Sequence, residues 1–333
     1  MIGRRGLVGL RAWAMGGLAV LAILVAAGCG GGGSAPARTA KRSTPAGLVL
    51  VRNGLLANDP FNASEPISSL AGSFRLGGTA GPSDASVRAL TDGLHVAVGS
   101  RKLGNWTGYF AATASTYPAR AVFHVRMWRS IPSAPVTSQT GVALFAVQTG
   151  QYNALNYVLV AGVVTRRSAY WAVGHATGNV DYAKTKILWI RRSADTHEDV
   201  TLRTDGRSSY AVYFGSKLVY ASKALKLEIK PPFRVYLEVE ARGIPYQTRF
   251  QDLWIASDDA VRIDGLHPGD HVTLAPDGVA PVQAVANAAG QALLPLPLSQ
   301  AFGNGTLTID GSGGRRRFAG LAFAGGDVYR VGT

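Results

Sequence analysis

The segment RVYLEVEAR, residues 234–242, sets two carboxylates two positions apart. Along a strand, successive side chains take opposite sides. Phe233, Val235, Leu237, Val239 and Ala241 then share one face, and Arg234, Tyr236, Glu238, Glu240 and Arg242 share the other. Hydrolysis of a glycosidic bond takes two carboxyl groups at a set separation, one to protonate the leaving oxygen and one to act as nucleophile or base. Glu238 and Glu240 are the candidate pair. The next side chain in their row is Arg242 rather than a third acid, and Arg234 precedes them. Guanidinium groups at both ends suit ion pairing across a polar sheet face. The expectation is a face without hydrolytic activity, with no catalytic residue assigned.

Little else in the chain is arranged for reaction chemistry. His267 and His271 are four apart, but Pro268-Gly269 between them forbids the helix that would bring them to one side. No metal and no cofactor is expected. There is no G-x-S-x-G, no H-E-x-x-H and no phosphate-binding glycine loop. Aromatic rings remain. Tyrosine and tryptophan join an apolar body to a polar tip and suit wet sites such as sugar platforms. Trp106, Tyr109, Tyr152, Trp171 and Trp189 are the candidate ligand-binding rings. Tyr170 and Trp171 must point to opposite sides of any strand that holds both, so at most one serves a given surface.

The elements that would position these groups are strands. GLHVAVGS, RAVFHVRMWR, GVALFAVQ, NYVLVAGVV, SAYWAVGHA, KILWIRR, DVTLRTDG and SYAVYFGSKLVYAS are short runs rich in Val, Tyr, Phe, Trp and Leu, several alternating with period two. Turn residues separate them, among them Asp205-Gly206, Gly215-Ser216 and Pro231-Pro232. Only PSDASVRALTDG reads as a helical turn. The pattern is all-β, of sandwich or barrel type. Near Asp258 the text changes to shorter strands with Ala, Pro and Gly between them, and HPGD, APDG and AFGNG mark turns. A second, smaller β-sandwich is expected over 257–333, packed against the first unit over 47–256.

SSYAVYFGSKLVYAS followed by PPFRVYLEVEARGIPYQTRFQDLWIA resembles the closing strands of the concanavalin A-like lectin/glucanase superfamily in its laminin-G-like form. Phe214-Gly215-Ser216-Lys217 stands for the tight hairpin, Val235 to Glu240 for the next strand, and Phe250-Gln251-Asp252-Leu253-Trp254 for the aromatic–Asp–apolar last strand. The resemblance implies a jelly roll of two antiparallel sheets, one of them concave, which often binds saccharide. Glu238 and Glu240 match only the E-x-[DE] part of the E-x-D-x-E strand of the glucanases in that superfamily. The ending LAFAGGDVYRV resembles the last strand of small immunoglobulin-like sandwiches.

The compartment is read from the other end of the chain. LAILVAAGCGGGGSAPA, residues 21–37, contains the only cysteine of 333 residues. Before it stand a basic head with Arg4, Arg5 and Arg11 and an apolar stretch from Ala12 to Gly28, the pattern of an export signal. VAAGC resembles the bacterial lipobox, with Ala26 where leucine is usual. The resemblance implies cleavage after residue 28 and diacylglycerol on Cys29, so the protein would sit on the outer side of the cell membrane. An uncleaved anchor helix is the alternative, and Arg4-Arg5 leave twin-arginine export open as the route. An isolated exported thiol has no disulfide partner, which favours a lipid on it. Residues 29–46, rich in Gly, Pro and Ser, form a tether, whose Arg38, Lys41 and Arg42 are available to lipid head groups.

Of the formal net charge of +14, three arginines lie in the leader, leaving +11. This favours attraction to anionic envelope polymers, membranes or acidic polysaccharide, while nucleic acid does not fit an exported chain without a recognition motif. The expected function is non-catalytic binding of a glycan or cell-envelope polymer at the cell surface. A glycoside hydrolase or lyase on the same scaffold, or a structural envelope protein, are the alternatives.

Overall fold

The computed structural model describes residues 42, 44–59, 61, 74–77, 85–99, 106–113, 120–131, 140–149, 156–165, 168–177, 184–204, 209–222, 233–242, 245–297 and 300–332. They form strands throughout, with no α-helix among the described residues. In chain order these are β1 (Leu48–Arg52), β2 (Leu55–Asp59), β3 (Phe74–Gly77), β4 (Ala85–Leu90), β5 (Gly93–Gly99), β6 (Trp106–Thr113), β7 (Ala121–Arg129) and β8 (Thr140–Thr149). Then come β9 (Asn156–Thr165), β10 (Ala169–Thr177), β11 (Lys184–Arg192), β12 (His197–Thr204), β13 (Tyr210–Phe214), β14 (Lys217–Ala221), β15 (Phe233–Arg242) and β16 (Pro245–Ser257). The rest are β17 (Val261–Asp264), β18 (His271–Pro276), β19 (Val282–Val285), β20 (Gln291–Leu294), β21 (Phe302–Gly311), β22 (Gly314–Ala324) and β23 (Val328–Val331).

Two antiparallel sheets make the large unit, a jelly-roll β-sandwich. One runs β11-β10-β9-β8-β15-β6-β3 and the other β14-β13-β12-β7-β16-β5-β4, with β2 added on β16. Consecutive strands repeatedly change sheet, as from β5 to β6, β7 to β8, β11 to β12 and β15 to β16. Apolar alternation drives the packing. On β15 the residues Phe233, Val235, Leu237, Val239 and Ala241 are all at most 1% exposed and meet Phe123, Val125 and Met127 of β7 in one core. Full burial of such a side chain contributes roughly 1.5–3 kcal/mol. The Gly215-Ser216 turn joins β13 to β14 as expected, with Gly215 at φ 57°, a conformation that suits glycine. Asp252 also has positive φ, 50°, at the bulge where β16 shifts register against β7 between Gln251 and Trp254.

Within PSDASVRALTDG, where a helical turn was expected, Ala85–Leu90 is a strand. Ala85–Leu90 pairs with β5 from Ala85↔Val98 to Leu90↔Gly93. The partner strand supplies the hydrogen bonds that local propensity directed elsewhere.

The small unit is a second sandwich, with sheets β1-β23-β17-β20 and β19-β18-β21-β22 around Val261, Ile263, Val272, Leu274, Leu307, Ile309, Phe323 and Tyr329. Its composition corrects the expected boundary at residue 47. β1 pairs with β23, Leu48↔Val331 to Arg52↔Val328, and Leu48 lies in the small core. The large unit is therefore inserted between the first strand of the small unit and the rest. A second departure from a simple hairpin series is the parallel pairing of β17 with β23.

The tether boundary at 46 moves as well. The Arg42 side chain is 6% exposed, and its guanidinium donates to both oxygens of Asp327, at 2.8 and 2.6 Å. Asp327 is fully buried and also accepts from Gly54 N at 2.7 Å, Ala324 N at 2.6 Å and the Tyr329 hydroxyl at 2.8 Å. Arg42 thus belongs to the fold and is not free for lipid head groups. The two units meet where Leu55, Val122, Trp254 and Ala256 of the large one pack on Ala301, Phe302 and Ala324 of the small one.

Candidate functional site

β15 is the fifth strand of its seven-stranded sheet and its core side is filled, so Glu238 and Glu240 occupy the positions of the outward side. Their side chains are outside the described set. Backbone register gives their neighbours. Glu238 stands in a row with Phe110, Leu144, Ala161, Ala172 and Ile190, and Glu240 with Gly108, Val142, Val163, Tyr170 and Arg192. Ala161, Val163, Tyr170 and Ala172 are each at most 6% exposed, whereas Ile190 on β11 is 48% exposed. The outward side is thus shielded over β9 and β10 and open at its β11 edge. Burial pushes the Tyr170 hydroxyl up to about 12, so it stays protonated.

The candidate rings divide. Trp171 is fully buried; its ring lies under the Arg129 guanidinium, 4.4 Å away, and edge-on to Phe214. A Cβ on Gly162 would come within 2.7 Å of that ring. Trp171 is therefore core and not a platform, a correction that follows from which side of β10 faces inward. Trp189 is half-buried, opposite Val173 in register and edge-on to Phe214 with ring centroids 5.4 Å apart. It closes the core margin. Tyr109 pairs in register with the core residue Val239, and Trp106 with Arg242, the row of Glu238 and Glu240. The side chains of Trp106 and Tyr109 are outside the described set, as are Tyr152 and Cys29 altogether.

The described residues do bring together a polar group at the sheet margin that the sequence reading missed. A recess of about 620 Å³ lies between the end of β11, the start of β12 and the β13–β14 turn, lined by Arg191, Asp195, Thr196, His197, Glu198, Asp199 and Phe214. The Arg191 guanidinium sits over the Phe214 ring at 5.4 Å, donates to Glu198 and lies 3.7 Å from Asp195. Asp199 accepts from Arg126 Nε at 2.6 Å, and Arg126 also reaches Asp252 at 2.9 Å. Each carboxylate here faces a guanidinium, an arrangement that fixes acceptors in place rather than holding a proton for transfer. The available signal was SADTHEDV, a run of acids in a basic chain.

Arg129 holds the wall of this recess from behind. Its side chain is fully buried, with no carboxylate among its described partners. Nη1 donates to the carbonyls of Val163, at 2.7 Å, and Tyr170, and Nη2 to those of Ser193 at 3.0 Å and Asp195 at 3.3 Å. Its backbone N–H donates to Thr196 O at 2.7 Å. One residue of β7 thus ties the 193–196 segment to β9 and β10.

The outward side of the far sheet holds His124, buried, stacked on Trp254 with ring centroids 4.7 Å apart, and 2.9 Å from Thr201 Oγ1. Trp254 in turn meets Phe302 of the small unit at 6.0 Å.

No family model and no curated protein matches this chain. Among solved structures, it is similar to a β-glucanase of Bacillus licheniformis, at 12% identity and a TM-score of 0.42 over 62% of this chain and 99% of that one. An immunostimulatory antigen and pseudo β-1,3-glucanase of Mycobacterium tuberculosis gives 11% identity and 0.42 over 62% and 99%. A protein of unknown function with a galectin-like fold from Bacillus subtilis gives 8% and 0.41 over 63% and 98%. At these values the likeness bears on neither ligand nor activity, and the jelly roll stands on the strand order itself.

Proposed function

We propose that this protein is an exported lipoprotein, acylated at Cys29, whose jelly-roll unit is a non-catalytic binding module for a glycan of the cell envelope. The margin recess carries the reading. It places fixed carboxylate acceptors beside a guanidinium that lies over the buried Phe214 ring, a polar set that a polyhydroxylated ligand uses for paired hydrogen bonds. The absence of a third acid after Glu238 and Glu240, with Arg242 in its place, supports binding rather than hydrolysis.

The test is a glycan array with a soluble chain starting at residue 30, which keeps Arg42. Binding to a neutral or amino-sugar glycan, lost in Arg191→Ala and Glu198→Gln but kept in the Glu238→Gln/Glu240→Gln double variant, is the expected result. No binding on a broad panel at low salt would leave a structural envelope role. Reducing-end release from laminarin- or xylan-like substrates by the wild type, abolished by Glu238→Gln in a folded protein, would make the chain a hydrolase. Membrane fractionation of Cys29→Ser tests the anchor: the variant is expected in the soluble fraction or with its leader uncleaved, and palmitate labelling that persists in it would overturn the assignment.

A further inference from the structure

The sheet that contains both the first and the last described strands turns an aliphatic and basic side to solvent. Its inner side buries Leu48, Ile263, Ala292, Tyr329 and Val331. On the outer side Val49 and Val51 of β1 are 57% and 51% exposed, and Leu293 of β20 is 57% exposed. Arginines stand among them in register, Arg330 opposite Val49 and Arg262 opposite Leu293, and Arg52 at the end of β1 is exposed too. Asp264 is the only acid in these four strands, and Arg262 pairs with it at 3.0 Å. Exposed aliphatic side chains rimmed by cations, without a free acid, fit a boundary that is apolar beneath and anionic at its surface.

The root of the tether lies at the same sandwich. Arg42 is locked onto Asp327, so the chain that leads back to Cys29 departs from the small unit. Residues 30–41 separate the two positions, and thirteen fully extended steps reach about 45 Å at most. A lipid on Cys29 therefore keeps the small sandwich within reach of the bilayer.

We infer that the outer side of the β1–β23–β17–β20 sheet is the membrane-facing surface of the protein, and that its partner is an anionic phospholipid surface. The inference builds on the anchor proposed above. Arginine forks pair with lipid phosphates, and the valines and the leucine enter the head-group boundary. The jelly roll and its recess are then presented away from the membrane.

The test supplies the tether independently of acylation. A chain starting at residue 30, with a histidine tag in place of Cys29, is bound to vesicles through a nickel-chelating lipid, so an introduced thiol is the only one. An environment-sensitive fluorophore is placed at Val49→Cys, Leu293→Cys or, as reference, Leu218→Cys on β14 of the large unit, which is 49% exposed. On vesicles rich in phosphatidylglycerol, labels at 49 and 293 should shift to the blue and lose access to an aqueous quencher by about threefold relative to 218. The effect should fade on phosphatidylcholine vesicles, at high salt, and in Arg52→Glu/Arg330→Glu. Equal quenching at all three positions, or protection at 218, overturns the inference. Failure of the Cys29→Ser fractionation test would remove the anchor reading alone and leave the vesicle result standing.

Discussion

Each sandwich buries an arginine, and the two are accommodated by opposite means. Arg42 of the small unit meets a buried carboxylate, Asp327, which also gathers two backbone N–H groups and a tyrosine hydroxyl. Arg129 of the large unit meets carbonyl oxygens and the face of Trp171, and burial pushes its guanidinium down from its ordinary value. The first is an ion pair whose halves depend on each other. The second is a bracket for backbone, held by dipoles and a ring quadrupole, with the Asp195 charge acting from a distance. The difference teaches where each unit is vulnerable: the small one to the loss of either charge, the large one to the loss of donors behind its recess.

The comparison breaks most sharply at Asp327. Asp327→Ala leaves Arg42 buried and unpaired and should cost the small sandwich about 3–5 kcal/mol, read by chemical denaturation with hydrogen exchange at β1 and β23. Adding Arg42→Met should recover part of that loss, because no isolated charge is then left. If the double variant is no better than the single one, charge pairing is not what holds the clasp.

Acid should act on the large unit and the junction instead. His124 is held neutral, its pKa pushed from 6.5 down to about 4, chiefly by burial, with Asp199 opposing and Arg126 adding to the shift. A depressed folded value means that the unfolded chain takes up the proton first. Stability is then fully present above pH 6.5 and is lost as pH falls toward 4, by up to about 3 kcal/mol. Thermal unfolding between those limits, followed by tryptophan fluorescence, should show a slope that disappears in His124→Asn. An unchanged slope in that variant would move the linkage to another group.

Arg129→Met keeps the stem and removes the donors, leaving the carbonyls of Val163, Tyr170, Ser193 and Asp195 without that partner. A loss of about 1–3 kcal/mol is expected, along with weaker glycan binding at the recess while binding of the tethered chain to vesicles is unchanged. Loss of both would mean that the bracket serves the whole molecule. The smallest effect belongs to Glu238→Gln/Glu240→Gln, at about 0–1 kcal/mol by the measure of surface ion pairs, checked in the same denaturation assay. A larger change would show these positions coupled to the shielded side of β9 and β10.

Local pattern was enough for much of this fold. The alternation of β15 gave its inner and outer rows correctly, because period two follows from strand geometry and needs no partner. Gly215 marked its hairpin for a similar reason. What the pattern could not supply was pairing at a distance. β1 reads as the first strand of a jelly roll until β23, some 280 residues on, is seen beside it. Trp171 illustrates a second limit: alternation separates it from Tyr170 but does not say which of the two sides is inward. The recess was harder still, since its lining comes from β11, the 193–196 segment, β12 and the β13–β14 turn, and Arg129 behind it looks in sequence like any base of a basic chain. Arg129 closes the run AVFHVRMWR, which holds a second arginine, Arg126, so nothing in the text singles out the buried one.

The pairing of β1 with β23 also sets an order of events for a chain that emerges from its N-terminus onward. The small sandwich cannot close until its last strand has emerged, whereas all the described strands of the jelly roll are available earlier. Its contacts are the longest in sequence, and loop closure of that length is slow unless the intervening chain has already become compact. The large unit, once folded, acts as a short rigid splice that brings Gly54 and Ser257 to hydrogen-bonding distance, 2.9 Å, and so delivers Arg42 to the place where Asp327 will arrive.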